Sequence, residues 1–221
     1  QESFIELYKK GHIYREKFPT IYCPECQTPV AQAELEDKSK TTFFTTLKFT
    51  VNSQTLPIAT TRPELLGACI AVFVNPQDKR YKNLIGKKAK VPLFNQEVPI
   101  IADESAQIDK GTGVLMICSY GDKYDAEAVK RHKLIPKVIL NKEGKLIIAP
   151  YENLPIKAAR NKILEDLKNN NFILEQKTIE HNVNVHDKCQ TEIEFLPIEQ
   201  WFIKILDKKH KLIEQGKKIK W

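Results

Sequence analysis

The sequence has no apolar run approaching the roughly 18 residues that a membrane-spanning helix requires. No charged segment followed by an apolar one opens it, so nothing in it has the pattern of a secretory leader. Glycine occurs only eight times, and the chain has neither an internal repeat nor a low-complexity tract, which excludes collagen-like and repeat architectures. Five cysteines in a chain of this kind lead us to expect reduced thiols and a cytoplasmic location.

What is present is enough for a folded core. Apolar residues make up 42% of the 221 positions and charged residues 29%, which is typical of a globular chain and not of a disordered one. The length fits one large domain or two small ones. Because the chain begins with Gln1 and stops at Trp221, we expect it to be a piece of a longer protein.

The charge is strongly one-sided. The formal net charge is +7 and the isoelectric point is near 9.0, which favours an anionic partner, and nucleic acid is the commonest one. A lysine-rich surface that serves only solubility would give the same numbers. Charge alone therefore leaves both interpretations open.

Short apolar segments predict many strands. GVLMICS (113–119) is continuously apolar, which is typical of a strand buried on both faces. The other predicted strands are 41–51, 55–62, 68–75, a hairpin of 89–94 with 97–102 around Asn95-Gln96, and two short pieces, 137–140 and 145–150, around an NKEG turn.

Helical periodicity is clear in two places. Apolar residues repeat in 156–170 at Ala159, Ile163 and Leu167, and a longer stripe that includes Trp201 and Phe202 predicts a helix over 197–216. A short helix is also expected within 3–16. Many strands with few helices predict an α+β fold, barrel-like in the middle and flanked by helices.

Two cysteine motifs share a two-residue spacer. Cys23-Pro-Glu-Cys26 and His186-Asp-Lys-Cys189 are both followed by Gln-Thr. Three thiolates and one imidazole form a set that suits tetrahedral Zn²⁺, and four protein ligands leave no open position for chemistry. We therefore predict a structural zinc site on a ribbon-like stem, unless the two motifs never meet. Cys69 and Cys118 lie in apolar runs and are expected to be buried.

Polar groups stand at the ends of two predicted strands. Thr60-Thr61-Arg62 ends one strand and suits a phosphate or a ribose, although the segment taken alone favours an exposed loop with a capping threonine. The GTGVLMICS strand leads into Asp122 and Asp125, which predict either an acidic first helical turn or a pocket for a cationic group.

These stretches carry a resemblance. IATTRPELLGACIAVFVNPQDKRYKNLIGKKA (58–89) and VPIIADESAQIDKGTGVLMICSYGDKYDAEAVKRH (98–132) resemble the editing domain of class I aminoacyl-tRNA synthetases, most closely the archaeal valyl type. CPECQTPVAQAELED (23–37) and the closing residues 196–221 fit the same family. The resemblance covers nearly the whole chain, but neither the HIGH-type nor the KMSKS-type signature of the aminoacylating core is present.

The resemblance implies a reaction, its partners and a division of the chain. The reaction is hydrolysis of threonine from mischarged tRNA(Val) by water, and the partners are that tRNA and the remainder of the parent synthetase. Residues 41–180 would form the editing domain, with 1–40 and 181–221 as the two parts of the stem.

The resemblance also implies roles for individual residues. Asp125 would hold the substrate amino group, and Asp122 would orient water or support Asp125. The expected substrate-binding residues are Thr60, Thr61, Arg62, Gly111, Thr112, Gly113 and Cys118. Apart from the resemblance, the positive charge favours tRNA contact by lysines of the tail and of one loop, although a solvated polar helix face explains them as well: Lys208, Lys209, Lys211, Lys217, Lys218, Lys220, Lys87 and Lys88.

The chain departs from the bacterial pattern at several positions. Bacterial relatives have a threonine at Cys118, a lysine at Met116 and a histidine at Gly121, and an aromatic residue is usual at Lys110. The residue that would read the threonine hydroxyl is therefore unassigned. Two other interpretations remain open: an editing domain of leucyl or isoleucyl specificity, and an RNA-binding zinc-ribbon module without chemistry.

Overall fold

The structure, a computed structural model, describes residues 1–220, and Trp221 lies outside the described residues. The strands in chain order are β1 (Ile13–Cys23), β2 (Thr28–Pro29), β3 (Leu35–Val51), β4 (Gln54–Thr60), β5 (Ala71–Val74), β6 (Lys88–Lys90), β7 (Glu97–Ala102), β8 (Val114–Ile117), β9 (Ile173–His186) and β10 (Glu194–Ile203). The α-helices are α1 (Glu2–Lys9), α2 (Lys123–His132), α3 (Ile156–Asn169) and α4 (Lys209–Gly216). The fold is mixed α+β, as predicted. In residues 1–220 no helix combines the length and apolarity that a membrane crossing needs.

The chain forms two compact units, one of residues 21–196 and the other of residues 1–20 with those from 197 onward. In the larger unit, β3 pairs with β4 on one side and with β9 on the other, both antiparallel. The second half of β3 alternates between buried and half-buried residues, which places Leu47, Phe49 and Val51 in the core. β3 and β9 both run across the predicted limits at 40/41 and 180/181, and those domain limits stay predictions.

The main sheet of the larger unit is curled. Its strand order is β4-β3-β6-β7-β5-β8, with β9 added beside β3. The first and last strands of that order, β4 and β8, also lie against each other, so the sheet turns back towards itself as a half-barrel. Its interior is filled by large side chains such as Phe73, Leu56, Ile58 and Ile100. The barrel-like core expected from the sequence is thus present as an incomplete barrel.

Strand β8 differs from its prediction. Val114 and Ile117 are buried, but Leu115 is 37% exposed, so the strand is not buried on both faces. Its second face borders a cavity, which the continuous apolar run of the sequence could not reveal. The predicted hairpin is confirmed, with β6 antiparallel to β7 and a turn closed by a hydrogen bond from the Val91 N–H to the Gln96 carbonyl (2.9 Å).

Two helices cover the half-barrel. α3 buries Ala159, Ile163 and Leu167 completely, as its periodicity predicted, and packs on a 3-10 helix, Pro63–Ala68. α2 packs through Ala128 into a cluster of buried residues that includes Phe73 and Ile117, and this contact fixes the helix against β5 and β8.

In the smaller unit, the helix predicted over 197–216 is wrong in its first half. Residues up to Ile203 continue strand β10, which pairs with β1, and α4 begins only at Lys209 and ends at Gly216. Trp201 makes edge contacts with Phe4 and Tyr8 of α1, while Phe202 stacks on Tyr14 of β1. Neighbouring aromatic residues thus point to opposite faces, which is the period of a strand. Pairing with β1 overrides the local helical spacing.

Candidate active site and metal cluster

A cavity of about 560 Å³ lies where β4 ends, β8 runs past and α2 begins. This volume is within the range of small-molecule sites, roughly 300–1,000 Å³. Most of the site residues predicted from the sequence line it: Thr60, Thr61, Arg62, Gly113, Cys118, Asp122 and Asp125. Residues that are far apart in the sequence therefore meet at one opening.

The turn between β8 and α2 is held by a buried hydroxyl. Ser119 has a positive φ of 51°, and its Oγ donates to the Ala68 carbonyl (3.0 Å) and accepts from the Lys137 N–H (2.8 Å). Two bonds inside the protein make this short turn rigid. No motif in the sequence singled out Ser119.

Asp122 and Asp125 have different structural roles. Asp122 is the N-cap of α2, and its Oδ1 accepts a hydrogen bond from the Asp125 N–H at 2.8 Å. This is the spacing at which an aspartate caps the first turn of a helix. The cap turns the Asp125 side chain towards the cavity instead of towards solvent.

The carboxyl group of Asp125 is enclosed. Its Oδ1 accepts from the Cys118 N–H (3.2 Å), and its Oδ2 lies so close to Gly121 that a Cβ there would be only 2.5 Å away. Burial raises the pKa of Asp125 to about 8, with the negative charge of Asp122 adding to the effect, while the Cys118 N–H and the Arg62 guanidinium oppose it. Burial therefore favours the protonated form of Asp125, and a cationic group in the cavity would favour the ionised form.

The thiol of Cys118 is buried at the same wall. Burial raises the pKa of Cys118 well above its usual range, and contact with Cys69 adds to the rise. The thiol therefore stays protonated at neutral pH and is a poor nucleophile. A covalent intermediate on Cys118 is therefore disfavoured.

The Thr60-Thr61-Arg62 segment borders the cavity opposite α2. Thr60 Oγ1 accepts from the Arg62 N–H at 3.0 Å, which fixes the turn after β4. The Arg62 guanidinium points into the protein, where it bonds Glu64 (3.0 Å), the Gly121 carbonyl (3.2 Å) and Glu194 (2.7 Å).

The GTG turn contributes less to the cavity than expected. Gly113 lines the cavity, but Gly111 and Thr112 are not among its lining residues within 1–220. A Cβ on Gly113 would collide with Arg80 Nη2 and lie 2.9 Å from the Ile108 carbonyl, so glycine is needed there for the packing of the protein itself. Thr112 Oγ1 is buried and has no hydrogen-bond partner within the described residues.

Several polar side chains line the cavity without having been predicted as site residues: Ser105, Gln107, Lys110 and Tyr124. Three of them lie in the connection between β7 and β8, where neither periodicity nor a motif marks them. Met116 and Gly121 also line the cavity, so the positions at which the chain departs from bacterial relatives all face this space.

A second cluster lies in the larger unit and could hold a metal ion. It brings together Cys23, Cys26, His186 and Cys189, whose ligand atoms all lie within 4.8 Å of one another. Three of the separations are 3.4 Å: Cys23 Sγ to Cys189 Sγ, Cys26 Sγ to His186 Nδ1, and Cys189 Sγ to His186 Nδ1. The two motifs therefore meet, as predicted.

The two halves of the cluster are built alike. Cys23 and Cys26 lie at the β1–β2 turn, and His186 and Cys189 lie at the turn after β9. In both halves the glutamine after the second cysteine is left-handed, with a φ of 51° at Gln27 and 57° at Gln190. The shared Gln-Thr flank of the two motifs thus corresponds to a shared turn.

The class of the chain is shown by its match to a known family. The family model of class I tRNA synthetases (I, L, M and V) matches residues 1–221, so the chain belongs to that family. Among individual relatives, valine–tRNA ligase of Thermoplasma acidophilum is 44% identical over 223 residues, covering 100% of this chain and 28% of the relative. The chain therefore spans little more than a quarter of that relative's length.

Two further archaeal relatives agree. Valine–tRNA ligase of Methanocaldococcus jannaschii is 44% identical over 225 residues, covering 100% of this chain and 26% of the relative. That of Haloarcula marismortui is 41% identical over 230 residues, covering 99% and 26%. The archaeal valyl resemblance seen in the sequence is confirmed.

Proposed function

We propose that the chain is the editing region of a valyl-tRNA synthetase and that it hydrolyses the ester between threonine and tRNA(Val). The observation that carries the proposal is the enclosed carboxyl group of Asp125, which shares one cavity with Thr60, Thr61 and Arg62. The esterified amino acid has a free α-ammonium group, and Asp125 is the half-buried acidic group that would pair with it there.

The chemistry requires such a second site. Threonine and valine have nearly the same shape, and an apolar pocket rejects the extra hydroxyl by only about 10²-fold, a magnitude already established for valyl-tRNA synthetases as a class. A polar cavity can instead accept threonine by hydrogen bonds and leave valine with unpaired groups. Hydroxyl, amide and thiol groups all line this cavity, which fits that requirement.

Water is the nucleophile in this mechanism. The substrate ammonium group pairs with Asp125, which gives up its proton to solvent. Water attacks the carbonyl carbon of the ester in the cavity, the bond from that carbon to the ribose oxygen breaks, and threonine and tRNA(Val) with a free ribose hydroxyl are released. Asp125 binds and orients the substrate through its amino group. The rate enhancement comes mainly from this positioning, because Asp125 is paired with the substrate ammonium group and is not free to take a proton from water.

The proposed metal of the second cluster is Zn²⁺, with a structural role. A Zn–S distance of about 2.3 Å places two tetrahedral sulfur ligands about 3.8 Å apart, close to the 3.4 Å between Cys23 Sγ and Cys189 Sγ. Cys23, Cys26, His186 and Cys189 would all ligate it and would hold the β1–β2 turn against the turn after β9. No step of hydrolysis involves this site.

The test is hydrolysis of threonyl-tRNA(Val), with valyl-tRNA(Val) and isoleucyl-tRNA as competing substrates. The chain should release threonine and spare valine, and Asp125→Asn should lose the activity because it keeps the shape but not the charge. Glu127→Gln neutralises an exposed carboxylate on the same helix and should remain active. Tight tRNA binding without release would instead identify an RNA-binding module, and clearance of valyl-tRNA would make the threonine assignment wrong.

A further inference from the structure

A chain of ion pairs lies behind the wall of the cavity. Cations and carboxylates alternate along it, and two of the carboxylates are almost completely buried. Its members in order are Glu194, Arg62, Glu64, Arg160, Glu192 and Lys40. Three positive and three negative groups balance, so the network carries no net charge.

Glu194 is the end of this network and belongs to β10. Its side chain is 5% exposed, and its two carboxylate oxygens accept from Arg62 Nη2 at 2.8 and 2.7 Å. A buried carboxylate bonded in this way fixes the plane and direction of the guanidinium group. Glu194 itself is not among the residues that line the 560 Å³ cavity.

The Arg62 guanidinium, oriented by Glu194, also bonds the wall of the cavity. Its Nη1 donates to the Gly121 carbonyl (3.2 Å), and its Nε donates to the fully buried Glu64 (3.0 Å). Together with the two bonds to Glu194, these use most of the five N–H groups of the guanidinium. Arg62 is thus committed to protein partners and has little capacity to bind a ligand.

Gly121 connects Arg62 to the proposed substrate-binding group. Its backbone packs on the Asp125 carboxyl so closely that no side chain would fit between them. Its N–H donates to the Cys118 carbonyl at 2.8 Å, and Cys118 in turn donates its own N–H to Asp125. A shift of Gly121 therefore shifts Asp125.

We propose that Glu194 is a positioning residue for the editing reaction: it holds Arg62 so that Arg62 fixes the Gly121 carbonyl and, through it, the Asp125 carboxyl. The proposal rests on the function proposed above. It also connects the cavity to the cysteine–histidine cluster, since Glu194 lies on the segment that returns from the His186–Cys189 turn, where the Ile193 N–H bonds the Asn184 carbonyl (3.2 Å).

The test compares Glu194→Ala and Glu194→Gln with a matched control, Glu199→Gln. The control removes an exposed carboxylate of the same strand, β10, that pairs with Arg15 and lies outside the network. For threonyl-tRNA(Val) hydrolysis, we expect Glu194→Ala to lower kcat about 10- to 100-fold, because a displacement near 1 Å costs about 10²-fold. KM should stay nearly constant, Glu194→Gln should be intermediate, and the control should keep the wild-type kcat.

A crystal structure of the Glu194→Gln protein gives a second, independent result. Displacement of the Gly121 carbonyl and of the Asp125 carboxyl supports the proposal. Wild-type kcat in a folded Glu194→Ala or Glu194→Gln protein, or an unmoved Asp125, overturns it. If the unmodified chain releases no threonine, the proposed function fails, and the crystal structure still decides whether Glu194 positions Asp125.

Discussion

Replacing Asp125 with asparagine should stabilise the protein while it removes the proposed activity. The carboxyl group is enclosed between Cys118, Gly121 and the start of α2, and burial raises its pKa to about 8 from a usual value of 3.8. Ionisation of this group therefore costs free energy in the folded state. Asparagine has almost the same shape, can still accept the Cys118 N–H, and has no charge to bury.

The sign and size of the effect follow from proton binding. Between pH 4 and pH 8 the folded state holds the Asp125 proton and the unfolded state does not, so the free energy of unfolding falls as the pH rises. With the folded pKa at about 8 and the usual value at 3.8, the loss reaches about 4 kcal/mol at pH 7 at about 1.4 kcal/mol per unit. Relaxation around the site reduces it, and we expect about 1–3 kcal/mol.

The assay is thermal unfolding of wild type and Asp125→Asn at several pH values. For a chain of 150–250 residues, 1 kcal/mol corresponds to about 2–4 °C in Tm, so the variant should melt about 2–12 °C higher near pH 8. Near pH 4 the two proteins should melt together. Glu127 is exposed on the same helix, so the difference in Tm between Glu127→Gln and wild type should not increase with pH.

The result that would refute this reasoning is a difference in Tm that does not increase with pH, or an Asp125→Asn protein that is less stable than wild type at pH 8. Either would mean that Asp125 is ionised in the free protein and compensated by Arg62. Titration of the Asp125 carboxyl by NMR would then give an ordinary pKa.

Three further predictions concern other parts of the chain. Asp122→Ala should cost about 1 kcal/mol of unfolding free energy through loss of the α2 cap, and Asp122→Asn should restore most of it in denaturant titrations; equal losses in both would contradict the capping role. Cys26→Ser should lose bound zinc by elemental analysis and lower Tm, and a metal-free but fully stable wild type would end the zinc proposal. Binding of tRNA should weaken steeply with salt, and neutralising Lys217, Lys218 and Lys220 should reduce that slope; an unchanged slope would place the contacts elsewhere.

Local sequence patterns predicted two kinds of element: those whose partners lie close in the sequence, and those in which a periodic pattern continues over many residues. The alternation in β3 and the repeat of Ala159, Ile163 and Leu167 in α3 are both present in the structure. The two cysteine motifs meet because β9 pairs with β3 along most of its length and carries His186 back beside the β1–β2 turn. That juxtaposition was a prediction from matched spacing, and pairing of distant strands confirms it.

The first half of 197–216 could not be predicted from its own residues. Ile198, Trp201, Phe202 and Ile205 fit a helical stripe, but aromatic and β-branched residues also favour strands. The choice depends on β1, which lies almost the whole chain length away in sequence. Pairing with β1 and the contacts of Trp201 with Phe4 decide in favour of the strand.

Arg62 shows what a motif can and cannot reveal. The sequence predicted it as a substrate-binding residue, and in the structure it lines the cavity beside Thr61. It gave no sign of Glu194, which is far away in sequence and holds the guanidinium by two hydrogen bonds. An arginine at the end of a strand looks ready to bind a ligand, and only its partners show that most of its donors are already used.

The two aspartates after β8 show how one short segment serves both folding and the proposed chemistry. Asp122 satisfies the first turn of α2 and so stabilises the fold, whereas Asp125 lies in an enclosed position where its charge is costly. Capping of the first helical turn explains the presence of Asp122. It does not explain the enclosed position of Asp125, since a solvent-exposed residue there would serve the helix equally well. The cost of ionising this half-buried carboxyl supports the proposed cationic partner, because pairing with an ammonium group would recover that free energy.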